Sequence, residues 1–287
     1  MRYREVHVAA PLDALIECVW LLSAASAESG EARAEQRILP DGCVELVCHF
    51  GDRFLAVSPD RLLTPQPACF VVGVLTAPLA VLPSGRADTM GVRFRPGCAH
   101  WFLSHAMGTM SDRAVELADL WGSMASELWE QLAAAPDDET RVAIVSGTLR
   151  DRLARAEPDR LVSAAVAGLV RSAGRLSVGT IAARAGVTTR HLQRRFAERV
   201  GTSPKMLARI LRFQNTLRLR TPGPDERTDW VRVAVECGYA DQSHLIRDYA
   251  EFSGETPTGL RAAEGELSSY FTAPQRLAAL FETRRYA

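Results

Sequence analysis

Two stretches of this chain follow one pattern, and that repeat constrains the fold more than any other feature. Residues 178–201 read VGTIAARAGVTTRHLQRRFAERVG, and residues 231–254 read VRVAVECGYADQSHLIRDYAEFSG. With Gly186 set against Gly238, Ala182 meets Ala234 and Val187 meets Tyr239. Leu192 meets His244 or, one step along, Leu245. Phe196 meets Tyr249 with a one-residue offset, so that Arg194 meets Arg247 and Arg195 meets Asp248. Gly201 meets Gly254, and Ser203-Pro204 meets Thr256-Pro257. Each stretch reads as a short helix, a turn that needs glycine, and a second helix. Ala182 and Ala234 are small where the two helices cross closely. Leu192, Phe196 and Val200 form an i, i+4, i+8 stripe toward a core, which leaves Thr189, Arg190, Gln193 and Arg194 on the opposite face. This is a helix-turn-helix, whose second helix enters the major groove of DNA. One such match is a weak signal; two, separated by a long helix, are a strong one.

Everything from 161 to 261 reads as helical, with helices at 161–173, 178–185, 189–199, 204–220, 230–237, 242–252 and 256–263 and no strand. The residues now become recognisable as a family pattern. Ile181-Ala182, Ala185-Gly186-Val187-Thr188, Leu192-Gln193-Arg194-Arg195-Phe196, Gly201-Thr202-Ser203-Pro204, the helix 207–219, Ala234, Cys237-Gly238-Tyr239, Gln242-Ser243, Leu245, Arg247, Tyr249 and Gly254-Glu255-Thr256-Pro257 resemble the AraC/XylS family of transcription regulators. The resemblance spans roughly 160–262. It implies two helix-turn-helix motifs joined by a rigid helix and set in successive major grooves on one face of the double-stranded DNA. A 16-residue helix at 205–220 is about 24 Å long, against about 34 Å between adjacent grooves. The motif bodies and DNA bending close that gap.

Charge divides the chain. The net charge over 287 residues is zero, but 1–159 carries −8 and 160–262 carries +8, which suggests two domains with different partners, the basic one meeting phosphate. Within the basic part, 177–220 is +9 and 221–262 is −4. The family commonly places basic residues after the aromatic of the second reading helix; here Asp248 and Glu251 stand there, with Asp225-Glu226 upstream. The first motif is therefore expected to supply most of the affinity and base reading. Thr189, Arg190, Gln193 and Arg194 are the base-edge candidates, because Arg suits guanine and Gln suits adenine. Gln242, Ser243, His244 and Arg247 are their counterparts in the second motif. Arg195, Arg199, Arg209 and Arg212 are expected to contact phosphate, which positions the protein without specifying sequence.

The front half reads differently. Short apolar runs at 44–50, 54–57, 70–75, 79–82 and 90–94 are punctuated by Gly and Pro, and Gly51-Asp52 reads as a hairpin turn. These strands suggest a sheet curled into a sandwich or small barrel. An amphipathic helix at 113–133 and a second at 139–156 follow. The expected architecture is α+β and multidomain: a β-rich domain at 1–157 with a helical pair at 113–156, and an all-α domain at 158–262 with motifs at 178–199 and 230–252. A helical tail occupies 263–287, with a helix at 274–284. The segments 38–47 and 91–97 resemble the N-terminal domain of an uncharacterised AraC-type subgroup. That resemblance implies a sensory domain for an effector, a partner or its own copy. Arg93 and Arg95, alternate residues on one strand, suggest either surface ion pairs or a clamp for an anionic effector, with Glu45 and His49 nearby.

Other features narrow the function. Residues 18–27 look like a short apolar signal core, but Glu5, Asp13 and Glu17 stand where a basic region belongs, so a cytoplasmic location is expected. The uncharged stretch 62–85 contains four prolines and reads as two strands rather than a membrane helix. Cys18, Cys43, Cys48, Cys69, Cys98 and Cys237 lack C-x-x-C spacing, which favours buried reduced thiols over a metal site or a redox sensor. No cofactor and no catalytic motif is indicated. The alternatives are an alkyl-transfer repair protein with an acceptor cysteine and an architectural DNA binder without an effector. RNA polymerase and a second copy of the chain are further candidate partners, with 113–133 and the tail as dimer surfaces.

Overall fold

The computed structural model describes residues 1–25, 34–103, 105–220 and 228–260, together with 277, 278, 280 and 281. Ten strands and nine α-helices follow one another along these residues: β1 (Arg2–Val6), β2 (Ile16–Ala24), β3 (Gln36–Ile38), β4 (Val44–His49), β5 (Leu55–Val57), β6 (Leu63–Pro65), β7 (Cys69–Val72), β8 (Leu79–Leu82), β9 (Ala87–Phe94) and β10 (Ala114–Glu116). Then come α1 (Leu117–Trp121), α2 (Ser123–Ala134), α3 (Asp138–Leu153), α4 (Arg160–Arg171), α5 (Val178–Arg184), α6 (Thr189–Arg199), α7 (Pro204–Leu219), α8 (Trp230–Glu236) and α9 (Gln242–Ser253).

The strands form two antiparallel sheets rather than a closed barrel. The larger has the order β1-β2-β9-β4-β7-β10, the smaller β3-β8-β5-β6. Strand alternation gives the large sheet two apolar faces. Val19, Leu21, Leu46, Val71, Met90, Val92 and Phe94 face the helical layer, where Trp121, Leu128, Leu132, Val145 and Leu149 meet them. Cys18, Trp20, Leu22, Val47 and Phe70 face Phe54 and Val81 of the small-sheet side.

Several expectations are corrected here. Gly51-Asp52 does not close a hairpin, because β4 and β5 belong to different sheets. The stretch 62–85 holds three strands. Residues 114–116 pair with β7 instead of starting a helix, and the helix expected at 113–133 breaks at Gly122, whose φ is +62°. Residues 18–24 of the apolar run at 18–27 lie in strand β2. It is buried on both faces along most of its length, so it shows no alternation to read. Cys48 and Cys69 lie opposite one another in the β4–β7 register and are joined as a disulfide, in place of two free thiols. Cys18, Cys43, Cys98 and Cys237 are free and buried. The helices expected at 256–263 and 274–284 fall partly outside the described residues. Residues 257–259 form a turn instead of helix, residue 260 is helical, and in the tail 277, 278 and 280 are helical, with Leu277 and Leu280 buried.

The helical domain is organised around α7. One side of α7, with Leu207 and Leu211, joins Val166, Ile181, Leu192 and Phe196. Another, with Ile210, Phe213 and Leu217, joins Val233, Leu245, Tyr249 and Phe252. Ser203 caps the start of α7 by accepting from the Met206 amide, and Pro204 follows at the first helical position.

Candidate nucleic-acid interface and inner cavity

Each motif is built by the same local chemistry. In the first, Ser177 caps α5 and Thr188 caps α6, each accepting an amide three residues on. In the second, Asp229 caps α8 and Asp241 caps α9. The turns need a left-handed residue, and Gly186 (φ +65°) and Gly238 (φ +77°) supply it. The caps Thr188 and Asp241 put the two reading helices in register with one another. The second turn is one residue longer, which explains the offset in the sequence repeat.

The outer face of α6 carries Thr189, Arg190, Gln193 and Arg194, all exposed. Leu192 and Phe196 on its inner face are fully buried. Arg194 is 3.4 Å from His191 Nδ1 and 4.0 Å from Glu198, contacts a solvated side chain gives up readily. On α9, Gln242, Ser243 and Arg247 are exposed and His244 is half-buried against Tyr239. The helix register sets Ile246 opposite Gln193, so the second face presents an apolar residue where the first presents an amide.

Of the four arginines expected at phosphate, three are engaged within the protein. Arg195 is turned inward, bonding Asp159 through Nε at 3.0 Å and through Nη2, and Glu198 at 2.9 Å. Asp159 also caps α4, so this pair fastens α6 to the start of α4. Burial opposes ionisation of Asp159, yet the Val162 amide and Arg195 outweigh it and hold the carboxyl below its usual range. Arg209 bonds Asp248 at 2.7 Å and Glu251 at 2.5 Å. Asp248 is 1% exposed. The hydrogen bond to Glu251 is the largest of the effects that push the Arg209 pKa upward. Arg212 donates to the Gly174 carbonyl at 2.9 Å and lies over Tyr239. In place of free cations, these three are ties between helices. Arg199 ends α6 and faces the junction with the front domain.

The front domain contains a slot between its sheets. It holds about 680 Å³ of empty space, of which about 60 Å³ is wide enough for the centre of a water molecule. Trp20, Phe54, Phe70 and Val81 give it apolar walls, and Glu45, His49, Gln66 and Thr89 its polar points. His49 Nε2 donates to Gln66 Oε1, which leaves Nδ1 to accept from Thr89. Burial lowers the His49 pKa to about 4, so the ring is neutral. Among the described residues, the buried Trp20 Nε1 has no hydrogen-bond partner. Arg93 is fully buried beside this slot. Burial works against its charge, but Glu45, 2.6 Å away, outweighs that and keeps it protonated. Arg95 is elsewhere, donating to the Asp13 carbonyl. Glu45 and His49 therefore share one cavity, whereas Arg93 and Arg95 form no common clamp. Gln66, which lies between β6 and β7, carries no sequence signal as a site residue; the folding of the two sheets brings it to the slot.

The segment 37–43 walls this slot and also rests on the helical domain. Arg37 reaches Glu255 at 3.1 Å, and the Pro40 carbonyl accepts from Gln214 of α7 at 2.7 Å. Gly42, at φ +84°, lies against Leu207.

The double motif on one central helix, with a polar row exposed on its reading helix, defines a helix-turn-helix DNA-binding protein. Residues 181–263 match the family described as "Helix-turn-helix domain", and residues 4–116 match a "Domain of unknown function (DUF6597)". The chain thus carries a helix-turn-helix domain behind that front domain. No curated protein matches the chain. Among solved structures, ToxT from Vibrio cholerae is similar at 10% identity and a TM-score of 0.47, over 86% of this chain and 98% of that one. ToxT from the same species with an unsaturated fatty acid bound is similar at 9% identity and a TM-score of 0.43, over 83% and 94%. Among the described residues, no helix is long and apolar enough to cross a membrane, and no group of His, Cys, Asp or Glu is arranged to hold a metal.

Proposed function

We propose that this chain is a sequence-specific transcription regulator, acting on DNA in the cytoplasm, that reads bases chiefly with α6. The observation that carries this is the exposed row Thr189, Arg190, Gln193 and Arg194 on a capped helix whose opposite face is locked in a core. Arg190 and Arg194 suit guanine edges and Gln193 an adenine. The second motif, through Gln242, Ser243, His244 and Arg247, contributes less, because its inward acids are balanced by Arg209 and its outward face includes Ile246.

The front domain gates this reading. Its slot suits a small, largely apolar effector that offers a hydrogen-bond acceptor to Trp20 Nε1. The effector is uncharged or cationic, since Arg93 is already matched by Glu45. Occupancy requires the slot to widen, and the segment 37–43 conveys that movement to α7 and to the end of α9.

Selection of bound fragments from genomic DNA with the full-length protein tests the reading. One recurring motif is the expected result. Fragments that share no motif, at an affinity set by salt alone, would contradict it.

A further inference from the structure

A second cleft lies where the two domains meet, away from the reading face and from the inner slot. It holds about 1200 Å³ of space open to solvent and is walled by Arg152 at the end of α3, Arg155 just beyond, Arg199 at the end of α6 and His100 from the front domain. Among the described residues, none of the three guanidiniums has a carboxylate within 4 Å. Arg152 is fixed by donation from Nε to the Phe102 carbonyl at 2.7 Å and by stacking on Trp121. Of the two acids on the cleft wall, Glu198 is already held by Arg195, and Glu157 alone faces three cations. Burial, and then the neighbouring charge of Arg155, lower the Arg152 pKa, as a cationic cluster short of counter-charge requires.

His100 adds the specific element. It is 6% exposed, and its Nδ1 lies 2.8 Å from the Gly97 carbonyl. A carbonyl only accepts, so Nδ1 carries the hydrogen. Burial, with Arg199 nearby, brings the ring pKa down to about 4, so Nε2 is a bare lone pair. Among the described residues, that buried Nε2 has no hydrogen-bond partner. A lone pair repels a fully ionised oxyanion but accepts from an O–H, while the guanidinium forks bind oxyanions.

We propose that this junction cleft binds a small oxyanion that also carries an O–H group, of which monohydrogen phosphate is the simplest example. The three guanidiniums take its charged oxygens, and His100 Nε2, closed off from the cleft until the ring turns toward the anion, accepts its hydrogen. Sulfate and the phosphodiesters of DNA have the charge but no O–H. A bound anion bridges α3, α6 and the front domain, and so sets how freely the first reading helix moves.

The test is calorimetric titration of the full-length protein at neutral pH with inorganic phosphate and, separately, with sulfate. Saturable phosphate binding is expected, with sulfate at least about tenfold weaker. Arg155→Gln, at an exposed position, lowers phosphate affinity about tenfold or more and leaves DNA affinity in phosphate-free buffer unchanged. His100→Gln, whose amide both donates and accepts, levels the preference between the two anions. Arg190→Ala, on the reading face, leaves phosphate binding intact. Absence of saturable phosphate binding, equal affinity for sulfate, or no effect of Arg155→Gln on phosphate would each overturn the proposal. Loss of phosphate binding in Arg190→Ala would place the anion on the DNA face instead. Loss of DNA affinity in Arg155→Gln would assign the cleft to the DNA backbone.

Discussion

The two helix-turn-helix motifs share a backbone plan and differ in what their equivalent side chains do. In the helix register, Arg195 of α6 corresponds to Asp248 of α9, and Glu198 to Glu251. Both inward positions tie a reading helix to a neighbour, but with opposite polarity. Arg195 reaches Asp159 at the start of α4, and Asp248 receives Arg209 from α7. The net charge of a motif is therefore a poor guide to its surface, since part of it is consumed in these ties. In the proposed reading the outward positions decide: Arg190, Gln193 and Arg194 in the first motif, against Ser243, Ile246 and Arg247 in the second. One architecture thus presents a reading face rich in bidentate donors beside a weaker one.

The sharpest way to break this comparison is to cut the second tie. Arg209→Ala leaves Asp248 buried and short of a partner, a loss of about 3–5 kcal/mol for a pair of this kind. Hydrogen exchange is expected to show α9 losing protection before α6. Arg195→Ala costs less, because Asp159 still accepts the Val162 amide. If Arg209→Ala only weakens DNA binding and leaves α9 protected, the residue is a phosphate contact after all.

The outward faces are compared next. Arg194→Ala is expected to cost about 1–3 kcal/mol of affinity for the preferred site and to relax its specificity. The equivalent Arg247→Ala costs less. Equal losses in a competition binding assay would remove the asymmetry. At the turn, Gly186 has open space around it, so a side chain there meets backbone strain alone. Gly186→Val is expected to cost at least about 1–2 kcal/mol, read as a lower Tm, because a β-branched residue resists positive φ more than most.

A pH-dependent effect concerns the front domain. His49 and His100 are neutral in the folded protein, with pKa values near 4 against 6.5 for an unperturbed histidine. The unfolded chain takes up protons first as pH falls. The stability they contribute is therefore complete above about pH 6.5 and declines toward pH 4, by at most about 1.4 kcal/mol per pH unit for each residue. A Tm that does not fall between neutral pH and pH 5 would show that these rings are charged or exposed. His49→Gln is expected to flatten the slope.

The helical domain was legible in the sequence because its signals are local. Caps at Ser177, Thr188 and Ser203, glycines at the turns and a stripe spaced by four all lie within a few residues of what they determine. Strand β2 was not, because burial on both faces removes the alternation that marks a strand. The ties were only half legible. Arg209 reads as basic and Asp248 as acidic, but their pairing spans 39 residues and depends on how α7 and α9 pack. For the same reason Gln66 was silent as a site residue. Arg93 and Arg95 show the converse, since adjacency on a strand suggested a clamp that the packing of Asp13 and Glu45 divides.

The central claim is that α6 does most of the reading. It is tested most directly by measuring the affinity of the full-length protein for every single-base variant of its selected site. The account predicts that the costly positions cluster in one half-site and that Arg194→Ala erases the preference there. Equal discrimination across both half-sites, unchanged by Arg194→Ala, would contradict it.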